Sequence, residues 1–332
     1  DRRSVFELFS RRLTGGRRYG VVAGTGRVLD ALERFRFGDD DLAWLREAGV
    51  VGGATLDWLA DYRFGGDVWG YGEGDLYFPH SPVMVVESTF AEGVLLETLM
   101  LSIMNHDSAI ASAAARMVTA ADGRPCIEMG SRRTHEEAAV AAARAAHLVG
   151  FAATSNLAAG RRHGVPTTGT SAHSFTLLHD SERDAFTAQV ESLGSGTTLL
   201  VDTYDVREAI ATAVEVAGTD LGAIRIDSGD LLSVARQVRR QLDDLGARRR
   251  DDDDVAPGEL VLGDQGHRLV VDDRVDDVVQ RLGDDLAHRG DVPPGDEGGH
   301  ERAQLLHLVV VGAADEEDEL GVDRLEHRAA RD

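Results

Sequence analysis

Apolar residues recur at three- and four-residue steps through residues 87–120, where Ala91, Val94, Leu95, Thr98, Leu99 and Ser102 share one side. That period is the signature of an α-helix and predicts one long helix laid on a core. Further on, short apolar runs alternate with polar turns and amphipathic stretches. Residues 125–129 read as a strand. Thr134 and Glu137 then have capping-box spacing before an Ala-rich helix that Gly150 ends. Residues 151–154 and 165–168 read as short strands. TTLLVD at 197–202 is β-rich and uninterrupted, as a strand buried on both faces must be. Val206–Ala217 reads as a helix stopped by Gly218, and Ala223–Ile226 as the next strand. Ser228 is expected to cap a last helix with Leu231, Leu232, Ala235, Val238 and Leu242 on one face. Strand, polar turn and helix, repeated, predict a parallel sheet or barrel.

In such folds chemistry gathers at the C-terminal ends of the strands. Those ends carry Glu128, Gly130, Arg132 and Arg133, then Thr154, Ser155 and Asn156, then Thr170 and His173. Asp202 and Asp205 follow, with Arg225, Asp227 and Asp230. Arginine forks suit phosphates and carboxylates, whereas acids suit a divalent metal or ribose hydroxyls. An anionic, sugar-phosphate-like ligand with Mg2+ is the chemistry this mouth implies. Acids at strand-to-helix turns also cap helices, and that reading stays open for Asp205 and Asp230 in particular.

Composition narrows the classes. The 332 residues leave room for two domains. No lysine occurs, so all 35 basic residues are arginine, which excludes a Walker phosphate loop and a Schiff-base lysine. The single Cys126 excludes thiolate zinc sites and an internal disulfide, and suits a reducing cytoplasm. No apolar run is long enough to predict a membrane span. A net charge of −23 argues against a nucleic-acid surface. The chain opens on Asp1 rather than Met, which leaves room for a preceding segment.

Composition also changes near residue 247. Residues 248–332 hold 24 acids against 11 arginines and no Phe, Trp, Tyr, Ser or Thr. A stretch without aromatics buries little area to offset ordering entropy. It reads as a solvated acidic tail or as GC-rich coding DNA translated in a wrong frame. The organisation expected is therefore 1–120, 121–247 and 248–332.

Weaker signals have plain readings. Gly24-Thr25-Gly26 lacks the third glycine of a dinucleotide loop and reads as a helix entry. Residues 65–74 read as a sheet-edge hairpin. His106 and Asp107 read as a helix-surface pair. His135 and His147 lie on one helix with no partner ligands, so no metal is expected there.

Several stretches together resemble the nicotinate phosphoribosyltransferase family. They are YRFGGDVWGYGEGDLYFPHSP at 62–82, ETLMLSIMNHDSAIA at 97–111, EMGSRRTHEEA at 128–138 and GFAATSNLAAG at 150–160. VPTTGTSAHSF at 165–175, LLVDTYD at 199–205 and IRIDSGDL at 224–231 continue the series. The resemblance covers about residues 2–246. It implies an irregular α/β barrel of the type II phosphoribosyltransferase kind, incomplete here, with an N-terminal α/β sandwich domain and assembly as a homodimer. The family joins nicotinate to phosphoribosyl pyrophosphate, giving nicotinate mononucleotide and pyrophosphate, with ATP hydrolysed through a phosphohistidine.

By that resemblance His173 is the phosphorylated histidine. Thr170 and Arg225 are nicotinate contacts. Arg132 and Arg133 lie beside the base and the phosphoribosyl pyrophosphate, and Asp202 and Asp227 lie near the ribose and metal. Related nicotinamide enzymes place an Asp where this chain has Ser155, and an uncharged Ser155 favours the acid substrate. Met129 stands where many relatives stack a Phe on the ring; a thioether also covers a ring face. Neither the family's N-terminal stacking tyrosine nor its Gly-rich 5′-phosphate loop has a match. The alternatives are an inactive or binding-only chain of this lineage, and a nicotinamide-type enzyme.

Overall fold

The structure is a computed structural model that describes residues 2–13 and 16–247 and the backbone of 259–262. It divides into two compact units, Asp1–Ser112 and a second that begins at Ala113.

In the first unit, β1 (Arg3–Phe9) and β3 (Asp67–Gly70) pair antiparallel with the central β5 (Pro82–Thr89). The short β2 (Gly20–Val21) and β4 (Leu76–Tyr77) form a second antiparallel pair. Exposure alternates along β1, as a strand covered on one face requires. Three helices, α1 (Thr25–Arg34), α2 (Asp39–Glu47) and α3 (Gly53–Ala60), precede the long α4 (Phe90–Ala121). The long helix expected from the periodicity is α4. It packs close under β1, since a Cβ on Gly93 would fall 2.1 Å from the Phe6 ring. Val22, Val28, Met84, Leu96 and Met104 fill the core between these elements. Gly24 adopts φ +100° at the start of α1, so the Gly-Thr-Gly motif is the helix entry it resembled. Residues 67–70 take the sheet edge beside β5, as read for 65–74.

One expectation fails here. Asp107 is wholly buried rather than a surface partner of His106. Its Oδ1 accepts from Arg27 Nη1 at 2.6 Å and lies 3.1 Å from His106 Nδ1. Helical spacing could not show this, because the acid's burial depends on α1 arriving from elsewhere in the chain. Two hydroxyls on the same helix hold the β2 segment: Val21 N donates to Ser112 Oγ at 2.8 Å and Ala23 N to Ser108 Oγ at 3.1 Å.

The second unit alternates strands and helices. β6 (Ile127–Glu128) pairs parallel with β7 (Ala153–Thr154), and a single bridge from Thr154 to Thr167 extends this sheet. β8 (Thr198–Leu200) and β10 (Glu259–Leu262) flank β9 (Ala223–Ile226), all parallel. The helices are α5 (Glu136–Leu148), α6 (Leu157–His163), α7 (His173–Leu178), α8 (Glu182–Leu193), α9 (Val206–Ala217) and α10 (Leu231–Asp244). Phe186, Leu199, Val201, Ile210, Ile224, Ile226 and Val238 form the core of β8, β9 and the helices over them. Fully burying each such side chain contributes about 2 kcal/mol.

Element types follow the sequence closely, and the caps do not. Helix α5 is capped by His135, whose Nδ1 accepts from Glu137 N, not by Thr134. Helix α10 is capped by Asp230, not by Ser228. The 165–168 run makes one bridge rather than a strand. For the two caps a neighbouring side chain reached the open amide first. Residues 259–262, inside the aromatic-free tail, form a strand on the free edge of β9. The other residues of 248–332 lie outside the described residues.

Candidate active site

His173 begins α7 directly after the turn that carries Thr170 and Ser171. Its Nε2 lies 3.2 Å from Asp202 Oδ1, and its Nδ1 lies 3.8 Å from Asp227 Oδ2. A carboxylate only accepts, so Asp202 fixes the tautomer with the hydrogen on Nε2. A neutral imidazole then keeps its lone pair on Nδ1. The second oxygen of Asp202 accepts from Asp227 N at 2.8 Å and from Ser228 Oγ at 2.7 Å. Ser228 therefore orients an acid instead of capping α10.

Arg225 projects from β9 toward the same place. Its Nη1 donates to Thr170 Oγ1 at 2.7 Å and to the Ser171 carbonyl at 3.2 Å. Its Nη2 pairs with Asp227 Oδ1 at 2.8 Å. Thr170, His173, Asp202, Arg225 and Asp227, chosen from sequence, thus share one contact network at the ends of β8 and β9.

The other four residues gather at the ends of β6 and β7. Met129 and Ser155 are half-buried, Arg132 is exposed, and Arg133 closes the 3-10 turn Gly130–Arg132 by bonding Gly130 O at 2.9 Å. Glu128 ties these loops together. Its carboxylate accepts from Gly130 N and, at 2.6 Å, from Thr154 Oγ1, while its carbonyl accepts from Ser155 N at 2.9 Å. Burial pushes the Glu128 carboxyl above its ordinary range, against the pull of these two donors. Thr154 joins this group to the 166–168 segment, which leads on to Thr170: its N donates to Pro166 O, and its carbonyl accepts from Thr168 N.

Asp205 and Asp230 cap α9 and α10, so the capping reading holds for both. Three polar residues of this region escaped the sequence reading. Glu182, the first residue of α8, is raised to about 7 by burial and then by the charges of Asp202, Asp205 and Glu208. Gln189 is buried and holds Ser171. Ser171 sits inside the recognised motif yet carried no signal of its own. A polar residue on an otherwise apolar stripe of α8 was the only available clue to Gln189. No group of three or more His, Cys, Asp or Glu among the described residues could hold a metal. None of the described helices is long and apolar enough to cross a membrane.

Parallel strands with helices over them, and Arg, Asp and His at the strand ends, define an α/β fold with a candidate site for an anionic ligand. The fold is similar to that of human nicotinic acid phosphoribosyltransferase, with a TM-score of 0.65 and 28% identity over 74% of this chain and 61% of that one. A similar fold occurs in nicotinate-nucleotide pyrophosphorylase of Pyrococcus furiosus, with a TM-score of 0.64 over 84% of this chain and 63% of that one. Residues 1–105 match the nicotinate phosphoribosyltransferase N-terminal domain. The nicotinate phosphoribosyltransferase pncB1 of Mycobacterium tuberculosis is 64% identical over 257 residues, which is 75% of this chain and 57% of that protein. That of Bacillus subtilis is 37% identical over 253 residues, 74% of this chain and 51% of that protein. Over this matched portion the chain belongs to the nicotinate phosphoribosyltransferase family. It spans about half the length of the curated relatives it matches.

Proposed function

We propose that the protein makes nicotinate mononucleotide from nicotinate and phosphoribosyl pyrophosphate, with ATP as co-substrate. The ring nitrogen of nicotinate forms a bond to the sugar's anomeric carbon as the bond from that carbon to pyrophosphate breaks. The observation that carries this reading is Arg225. Its guanidinium touches Thr170 and Asp227, yet its buried Nε has no hydrogen-bond partner among the described residues. An orphan donor on a buried arginine is what a ligand carboxylate satisfies. Ser155 adds no charge that would repel that carboxylate, and Met129 offers a thioether to the ring.

His173 accepts the phosphoryl group of ATP on the ring nitrogen that Asp202 leaves with a lone pair, and adenosine diphosphate leaves. Water later takes the phosphoryl group and frees the imidazole. Arg132 and Arg133 answer the phosphates of phosphoribosyl pyrophosphate. Asp202 and Asp227 face the ribose side, where their charge stabilises a cationic anomeric carbon. Mg2+, when bound, would supply positive charge that offsets the charge of the departing pyrophosphate. Both oxygens of Asp202 are engaged and Asp227 Oδ1 pairs with Arg225, so Asp227 Oδ2 is the carboxylate oxygen that would hold the ion. A homodimer in the cytoplasm completes the proposal. Cys126, buried with its thiol raised to about 11, suits a reducing compartment.

The test is product formation from nicotinate, phosphoribosyl pyrophosphate and Mg-ATP, beside a nicotinamide arm and His173→Ala. Nicotinate mononucleotide from the acid alone, with ATP stimulation lost in His173→Ala, is expected. Product from nicotinamide in preference to nicotinate overturns the substrate assignment. Ser155→Asp should move the ratio of the two kcat/KM values toward the amide; an unmoved ratio removes Ser155 from the substrate's surroundings.

A further inference from the structure

We propose that Gln189 is a positioning residue for the site: through Ser171 it holds the Thr170–His173 turn in register with β8, and thereby aims Arg225. The proposal rests on the functional reading above for its catalytic consequence, and on geometry for the rest.

Gln189 lies on α8 with only 5% of its surface exposed. Its Oε1 accepts from Ser171 Oγ at 2.5 Å. Its Nε2 donates to Thr197 Oγ1 and to the Thr198 carbonyl, both at 2.8 Å. Both amide hydrogens and the amide oxygen are therefore used. A flipped amide would set Oε1 against the Thr198 carbonyl, so only one orientation is allowed. This is a fixed connector, satisfied at every point, inside a low-dielectric interior.

Its place in the fold explains the need for it. Among the described residues no ladder joins the 165–168 segment to β8; the sheet of β6 and β7 ends at the Thr167 bridge, and the next sheet starts at β8. The Thr170–His173 turn crosses that gap. Gln189 bridges it from beneath, binding Ser171 on one side and the start of β8 on the other. Ser171 passes the constraint on, because its carbonyl accepts from Arg225 Nη1 while Thr170 Oγ1 accepts from the same nitrogen. The side chain on α8 thus fixes the seat of the arginine without touching any substrate.

Hydrogen–deuterium exchange of the full chain, read at residues 169–173, tests the positioning directly. Gln189→Leu and Ser171→Ala should each raise exchange there about tenfold, the scale of one lost hydrogen bond. The double variant should go no further than Gln189→Leu alone, because the Ser171–Gln189 bond that Ser171→Ala breaks is already lost there. Ser171→Thr keeps the hydroxyl and should return exchange to the parent value. Amides of α10 serve as the control and should not change. Where product forms, KM for nicotinate should rise about tenfold in the same two variants, with kcat nearly unchanged. Unchanged exchange at 169–173 in Ser171→Ala, or additive effects in the double variant, overturns the proposal. If Gln189→Leu does not fold, Ser171→Ala against Ser171→Thr decides. A parent chain that makes no product refutes the functional reading and leaves the exchange result to judge Gln189.

Discussion

The two units each contain an arginine–aspartate–histidine cluster, and the clusters are built for opposite ends. In the first unit a single acid, Asp107, is wholly buried along α4, and Arg27 and His106 share one of its oxygens. Arg27 and His106 lie against the acid, and none of it meets solvent. In the second unit two acids flank one imidazole, and His173 keeps 39% of its side chain exposed. Asp202 is buried, but its bonds serve to orient other groups: the His173 ring, the Asp227 amide and Ser228. The same residue types therefore do not announce the same role. A cluster along a helix interior compensates a buried charge. A cluster at the C-terminal ends of parallel strands meets loops and solvent, where a ligand can arrive.

The comparison breaks most sharply with Asp202→Asn. The amide can face His173 with a donor, so the ring loses its tautomer while the fold keeps its shape. Product formation should fall by about 100-fold or more, with thermal unfolding close to the parent. Equal activity would mean that Asp202 does not orient the histidine. Next in size is Asp107→Ala, which strips Arg27 of its buried counter-charge. Stability should drop by about 3 kcal/mol in denaturant unfolding, with KM for nicotinate at the parent value. A change in KM without a loss of stability would make the first cluster a second functional element.

The smallest effect concerns Glu182. Its folded pKa of about 7 lies above the ordinary carboxylate value because burial and the Asp202, Asp205 and Glu208 charges disfavour ionisation. The stability this carboxyl contributes is complete below about pH 4.5 and is lost as pH rises through about 7. Glu182→Gln removes that dependence. The variant should gain about 2 °C in thermal midpoint over the parent at pH 8 and nothing at pH 4. An equal gain at both pH values would mean that packing, not ionisation, is what the substitution changes.

Much of this was legible in the chain. The 3.6-residue period gave α4, the apolar runs gave β8 and β9, and Gly218 marked the end of α9 where the structure has it. The strand-end rule selected His173, Asp202, Arg225 and Asp227 before any contact was known. The caps at His135 and Asp230 were misplaced by one and two residues. Several polar side chains near each turn can reach the open amides, and only the local backbone path selects among them. Glu182 and Gln189 were missed because a polar residue within a helix looks like a solvated one until its neighbours are known.

The sequence by itself determined the element types, the apolar faces and the set of chemical groups at the strand ends. These follow from local periodicity, from the intrinsic chemistry of each side chain and from motifs short enough to read in line. The tertiary structure decided that Asp107 is buried, that Asp202 orients His173, and that Gln189 bridges the gap before β8. Those outcomes depend on contacts between residues far apart in the chain. Burial and partner choice arise only when distant segments exclude water from the same place.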